Sequence, residues 1–315
     1  MIVDIRSLLE QYSKITILSH INPDADTIGT ALGIYTILKS EGFQVEVVSQ
    51  DKEEIPLYLD FLPNFSKIKK RRSFEGGLVI TCDCGDRDRL GESLMEGDVI
   101  LNIDHHHSNT YYGDYNIVMP HYAAAAQVAF ETFKSQFSMS REAATCFYTG
   151  LVSDTQYFST NSVTKEVFDV ASDMIAYDIN LSEVAYHMNQ RRSLSSLRIL
   201  SRALSTLNLH FEGRLATVVV TKELIQASGA HYRDMMDIVD HLIALATVKI
   251  SIVIMELDDY KKISIRSKGL DVASLAVAFG GGGHQQASGF IQDKHLDSEE
   301  LVERLMIKIK EMGLL

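Results

Sequence analysis

Three short Val- and Ile-rich segments near the start of the chain each run into a carboxylate or an imidazole. ITILSH (15–20) ends on His20 and is followed by Asp24 and Asp26; LVITCD (78–83) ends on Asp83; VILNID (99–104) ends on Asp104, with His105, His106 and His107 behind it. Apolar runs this short, rich in β-branched residues, read as buried strands. Between the first two lie a helical pattern closed by Gly42, TIGTALGIYTILKSEG (27–42), and a further strand segment, VEVVS (45–49). Strands alternating with helices predict βαβ units, hence an α/β domain with a parallel sheet and helices on both faces. In such sheets functional groups gather beyond the carboxyl ends of the strands. One polar residue at a strand end is ordinary. Several such ends in succession predict one polar cleft.

Downstream, from about 121 to 207, the pattern is helical: HYAAAAQVAFETF, SREAATCFYTGLVSD, TKEVFDVASDMIAY and SLSSLRILSRALSTL. Strand segments return at 215–221, 249–257 and 262–267, with helices at 271–279 and 298–312. This predicts a first domain over 1–190, a helical linker over 191–209 and a smaller α/β domain over 210–315. No repeat at a fixed period is visible.

Charge narrows the function classes. Lys and Arg number 30 against 42 Asp and Glu, a formal net charge of -12. A protein that coats long nucleic acid draws its affinity from neutralising phosphates with Lys and Arg, so that class is disfavoured. Acids that hold divalent cations are compatible with the balance. No apolar run approaches the roughly 20 residues that span a bilayer. The opening MIVDIRSLLEQYSK lacks a basic leader and apolar core, so no signal peptide is expected. Cys82, Cys84 and Cys146 make no disulfide framework, and a reducing, cytoplasmic location is expected.

The chemistry-bearing residues have competing readings. His20, Asp24 and Asp26 fall within seven residues at a strand-to-helix turn stiffened by Pro23, where Thr27 or Asp26 can cap the helix. A helix N-terminus favours anions, and a capped helix with a surface histidine accounts for the segment almost as well. Alternation along a strand puts Cys82 and Cys84 on one face and Asp83 on the other. With no second cysteine pair the thiols read as packing residues, whereas a buried Asp83 needs a partner, of which a metal is one. Neutral histidine is the commonest metal ligand and adjacent carboxylates orient it, which singles out Asp104-His105-His106. Asp154, in GLVSDTQYF, is by itself as well read as a loop aspartate. Gly280–Gly283 and His284 form no Walker loop, because no Lys-Ser or Lys-Thr follows. Their backbone amides are expected to form an anion-binding concavity, with His284 adding a donor.

The ordered set HINPDAD, CDCGD, DHHHSN and GLVSDT resembles the four motifs of the DHH phosphoesterase superfamily, and FGGGGHQQASGF resembles the signature of its DHH-associated substrate-binding domain. The two-domain length is most similar to the bacterial nano-RNase and pAp phosphatase branch. The resemblance implies one metal on His20, Asp24 and Asp83, and a second on Asp26, Asp83, His105 and Asp154, with Asp83 bridging. It implies His106 facing the substrate phosphate, Asp104 supporting it, and Arg266 with Gly281, Gly282, Gly283 and His284 gripping substrate. Oxygen-rich sites with a few imidazoles suit manganese first, with magnesium or cobalt as substitutes.

The implied activity is hydrolysis of short oligonucleotides (nano-RNA) and of pAp, with a phosphodiesterase of linear or cyclic diadenylate as the enzymatic alternative. A non-catalytic nucleotide-binding regulator is the alternative from another class. The implied partners are short oligonucleotides, pAp or dinucleotides, without long nucleic acid or membrane, and a homodimer is an admissible assembly. Two departures from the family pattern stand out: Ala25 and Gln156 occupy positions where glycine is usual. Ala25 is expected to be tolerated unless its φ is positive, and Gln156 bears on local loop shape.

Overall fold

The Val- and Ile-rich segments form the strands their composition predicts. The computed structural model describes residues 4–52 and 55–315, so the first three residues of the segment read for a leader lie outside the described residues. The chain divides into two compact units, Met1–Arg191 and Arg192–Leu315.

In the first unit β1 (Ile15–Leu18), β2 (Val45–Val48), β3 (Leu78–Cys82), β4 (Val99–Asp104) and β5 (Tyr115–Val118) form one sheet in the order β2-β1-β3-β4-β5. Every pairing is parallel. β1, β2 and β3 are buried along their whole length, which is why β1 and β3 read as near-continuous apolar runs, while β2 is interrupted by Glu46, buried against Lys69 and Thr16. β5 carries no such run, and the sequence reading misses it.

Register does the positioning. Leu18 pairs with Thr81, and Cys82 pairs with Ile103. Carried past the strand ends, that register sets His20, Asp83 and Asp104 in a row. β2 lies on one side of β1 and β3 on the other, so the winding reverses there and a crevice opens at the carboxyl ends.

The helices of this unit are α1 (Ile5–Leu9), α2 (Ala25–Ser40), α3 (Ala125–Lys134), α4 (Arg141–Asp154), α5 (Lys165–Ile175) and α6 (Leu181–Ala185). α2 begins two residues before the expected start, because its cap is Asp24 rather than Thr27 or Asp26. The Asp24 carboxylate accepts the Thr27 backbone N–H at 2.9 Å. α2 and α4 approach closely through glycine: a Cβ on Gly29 would stand 2.5 Å from the Cys146 carbonyl oxygen, and one on Gly150 would stand 2.6 Å from Asp26 Oδ1. That closeness brings Asp26, in the first turn of α2, near Asp154, the last residue of α4.

The second unit is a six-stranded mixed sheet in the order β10-β11-β9-β8-β7-β6. Its strands are β6 (Asn208–His210), β7 (Leu215–Val220), β8 (Ile250–Glu256), β9 (Tyr260–Ser267), β10 (Gly282–His284) and β11 (Ala287–Asp293); β7 and β8 pair in parallel and the other pairings are antiparallel. Helices α7 (Leu194–Leu204), α8 (Lys222–Ser228), α9 (Ile238–Ile243), α10 (Val272–Ala278) and α11 (Ser298–Glu311) accompany it. The stretch read as a linker holds α7, which buries Ile199 and Ala203 in this unit's own core. In β9, Ile263 and Ile265 are buried while Lys262, Ser264 and Arg266 alternate with them on the other face. No helix among the described residues is long and apolar enough to cross a membrane.

Gly29→Ala forces a methyl into a backbone carbonyl that cannot swing away. The expected cost is about 1–3 kcal/mol, read as a lowered denaturation midpoint of the full chain. An unchanged midpoint would show that α2 and α4 separate freely.

Candidate metal centre

β1 delivers His20, and the turn after it delivers Asp24 at the N-cap of α2. The His20 ring is fixed by the Ile21 carbonyl, 2.7 Å from Nδ1, which places a proton there and turns Nε2 toward Asp83 Oδ2 at 3.6 Å. Asp83 follows β3 and adopts a left-handed backbone with φ 56°, so the strand alternation expected of Cys82-Asp83-Cys84 stops at Cys82. Both thiols are free and buried: Cys82 packs in the hydrophobic core, whereas the Cys84 thiol donates to the Asp86 carbonyl at 3.1 Å.

One hydroxyl sits amid this group. Thr27 Oγ1 lies 2.6 Å from His20 Nε2, 3.0 Å from Asp24 Oδ1 and 2.8 Å from Asp83 Oδ2. A hydroxyl carries one proton, so it satisfies only one of three acceptors at a time. The other Asp83 oxygen, Oδ1, is buried with no hydrogen-bond donor among the described residues. His105 Nε2 stands 3.4 Å from it and His106 Nδ1 3.6 Å. A buried carboxylate oxygen left in that state is costly.

A second group adjoins the first. His105 is fixed at Nδ1 by the Tyr122 carbonyl, 3.2 Å away, and turns Nε2 toward Asp154 Oδ2 at 3.2 Å. Asp26 is fully buried, and its carboxylate accepts the backbone N–H groups of Ala125 at 2.6 Å and Ala126 at 2.9 Å, at the start of α3. Ligand-type atoms of His20, Asp24 and Asp83 lie within 4.8 Å of one another, as do those of Asp26, His105 and Asp154, and those of Asp83, His105 and His106. All six residues singled out as metal ligands are therefore brought together.

The electrostatics also call for a cation. Burial, and then the charges of Asp83 and Asp154, push the Asp26 carboxyl well above the usual carboxylate range. Burial likewise raises Asp154, with Asp83 adding to it against the pull of His105. Burial would raise Asp83 too, but the imidazoles of His105 and His20 outweigh it and hold that carboxyl well below the usual range. Crowded carboxylates with too few protons and orphaned oxygens fit divalent cations.

Beneath His106 runs a polar network that the sequence reading did not anticipate. Asp104, fully buried, accepts His106 Nδ1–H at 2.7 Å on one oxygen and Asn109 Nδ2–H at 2.5 Å on the other. Asn109 also donates to Asn102 Oδ1 at 2.8 Å, and Asn102 donates to Thr81 Oγ1 and the Tyr112 hydroxyl. Asn102 was findable: it stands two residues before Asp104 on the same strand face. Asn109 and Tyr112 lie in an irregular loop, where sequence gives no facing rule. Arg89, also unforeseen, brings its guanidinium to 3.2 Å from His20 Nδ1. His107 is exposed.

Ala25 lies within α2, without positive φ. Gln156, Tyr157 and Phe158 are all left-handed, with φ of 45°, 59° and 61°, at roughly 1–2 kcal/mol per residue. Phe158 offsets part of this by stacking on Phe168, ring centroids 5.3 Å apart.

The model of the DHH family N-terminal domain matches residues 14–151, and that of the DHHA1 domain matches residues 215–311. The bifunctional oligoribonuclease and PAP phosphatase NrnA of Thermus thermophilus is 32% identical over 301 residues, covering 94% of this chain and 89% of the relative. This chain belongs to the DHH family.

The protein of the same name from Bacillus subtilis is 25% identical, covering 88% of this chain and 89% of its own. A crystal structure of an exopolyphosphatase-related protein from Bacteroides fragilis superposes with a TM-score of 0.88 at 25% identity, covering 99% of this chain and 96% of that one.

The DHHA1-matching unit of this DHH-family chain holds a cavity of about 350 Å³ lined by Arg266, Gly282, Gly283 and His284 among others. The glycines differ in why they are there. A Cβ on Gly281 would meet the Gly289 carbonyl oxygen at 2.2 Å, and Gly283 combines φ 140° with a 2.6 Å approach to the Ala287 carbonyl oxygen, so packing requires both. A Cβ on Gly282 would meet nothing within 4 Å. The amide concavity expected here is not built: the Gly280 and Gly281 N–H groups donate to the Val277 and Ala276 carbonyls, and Gly282–His284 form a strand.

Burial alone would lower the His106 pKa, but the Asp104 carboxylate outweighs it and the net shift is upward. Asp104→Asn removes that support. In chelator-treated protein the His106 imidazole pKa, followed by NMR, is expected to fall; an unchanged value would separate the two residues.

Proposed function

We propose that this DHH-family chain is a divalent-metal-dependent hydrolase that cleaves short oligonucleotides to mononucleotides and dephosphorylates pAp to AMP. The observation that carries the reading is the convergence of His20, Asp24, Asp26, Asp83, His105 and Asp154 at the carboxyl ends of β1, β3 and β4, the start of α2 and the end of α4. The names borne by the Thermus and Bacillus relatives supply the substrate class.

His20, Asp24 and Asp83 would hold one ion, and Asp26, His105 and Asp154 the other. Asp83 belongs to both groups by position, with Oδ2 toward His20 and Oδ1 toward His105. When bound, such a pair of ions activates water and neutralises phosphoryl oxygens for in-line displacement. Manganese is the ion this donor set suits best, being oxygen-rich with two imidazoles.

The remaining work falls to side chains. His106, kept cationic over a wider pH range by Asp104, donates from Nε2 to a phosphoryl oxygen of the substrate. Arg89, beside His20, supplies a second cationic donor at the mouth of the same crevice. Hydrolysis breaks one P–O bond and adds water across it, leaving a phosphate on one product and a hydroxyl on the other. In the second unit Arg266 and His284 line the substrate-gripping cavity.

Purified protein with manganese should turn over a dinucleotide and pAp in preference to linear diadenylate and pyrophosphate. Turnover of none of the four would overturn the reading, and a clear preference for diadenylate would redirect it. Chelation should abolish turnover and manganese restore it. Asp83→Asn should cost about 100-fold or more, beyond the 10- to 100-fold typical of a group that only orients a ligand.

A further inference from the structure

The stripe that β9 presents to the second unit's cavity contains a cation with no pairing partner among the described residues. Lys262, Ser264 and Arg266 alternate with buried Ile263 and Ile265 and all three line the cavity. Arg266 is already engaged: its Nε donates to Asp240 Oδ1 at 3.1 Å, so the pair together adds little net charge. Lys262 is half-buried, and among the described residues its ammonium has neither a hydrogen bond nor an ion pair. Burial without a compensating anion lowers its pKa. The Ser264 hydroxyl between the two cations is also unengaged among the described residues.

The floor beside this stripe is bare by composition. Gly289 pairs with Ser264 on the neighbouring strand, and Gly282 pairs with Gly289 on the next. A side chain on Gly282 would meet open space within the cavity, so no contact inside the protein demands glycine there. An open floor, a free hydroxyl and an uncompensated ammonium together describe a seat for an anion lying flat on the sheet.

We propose that Lys262 is a specificity-determining residue of this cavity: with Ser264 and Arg266 it seats a terminal phosphomonoester of the substrate and thereby distinguishes phosphorylated ends from hydroxyl ends. The inference rests on the hydrolase reading for its substrate class. A phosphomonoester carries roughly −1.5 to −2 at neutral pH, about one charge more than a diester linkage. Because Asp240 cancels much of the Arg266 charge, that extra charge is met by Lys262. A ligand lacking it gains little from the residue.

The test is a titration of the full chain in chelator, where no turnover occurs, with dinucleotides bearing a 5′-phosphate, a 3′-phosphate or neither. One phosphorylated form should bind wild-type protein at least tenfold more tightly than the unphosphorylated one. Lys262→Gln should erase that difference while leaving the unphosphorylated dinucleotide within twofold, and Lys262→Arg should restore it. Equal weakening of all three ligands by Lys262→Gln, or no change in any, overturns the proposal. So does a wild-type protein that binds all three alike. Because binding is read without metal, these outcomes are distinct from a failure of manganese-dependent hydrolysis, which would sink the hydrolase reading instead. In the loaded enzyme the same substitution should raise KM for the preferred phosphorylated dinucleotide about tenfold and leave kcat within twofold.

Discussion

A carboxylate buried without a donor on one of its oxygens is an arrangement that proteins avoid unless something else compensates it, and Asp83 is held in that state by the backbone itself. Its left-handed φ ends β3 abruptly and turns the side chain into the row that register has already lined up with His20 and Asp104. Around it stand two imidazoles whose Nδ1 atoms are tied to main-chain carbonyls, and carboxylates delivered by α2 and α4. Each of these groups is aimed by a separate piece of secondary structure. What they share is the negative charge at Asp83, and the close glycine-mediated packing of α2 on α4 makes sense as the means of bringing Asp26 and Asp154 to it.

Much of this was legible in the sequence because the parallel sheet writes itself plainly. Segments rich in Val and Ile marked β1 to β4, and the polar residues just past β1, β3 and β4 were among those that converged. The helix boundary was misplaced because three candidate caps lie within four residues, and only the structure shows Asp24 taking the Thr27 amide. β5, β10 and β11 escaped notice for the opposite reason: their residues are partly exposed or glycine-rich, so they lack the apolar signature. The concavity expected of Gly280–Gly283 failed because four glycines look flexible in sequence, whereas two of their amides finish α10 and the rest extend an antiparallel ladder.

The polar network under His106 illustrates a limit of a different kind. Asn102, Asn109 and Tyr112 are unremarkable as residue types, and their meaning comes from the chain of bonds that runs from Tyr112 through Asn102 and Asn109 to Asp104. Satisfied in this way, the network stiffens the platform that carries the His106 imidazole. The second unit works by subtraction. Its cavity floor is defined by the side chains that Gly282 and Gly289 lack, and its chemistry by one strand face.

Asp24 and Asp26 each hold two offices: one starts α2 and the other ties down the first amides of α3, while both belong to groups that could hold a metal ion. The same two carboxylates therefore serve helix initiation and stand in the groups able to hold an ion. A chain emerging without its ions would still have these carboxylates occupied by backbone amides, and the helices could assemble around them before any metal arrived. The ions would then enter a scaffold whose ligands have been kept in place by their other employment. In this view the crevice is a receptacle set by folding and filled afterwards, so loading order need not limit how the chain folds.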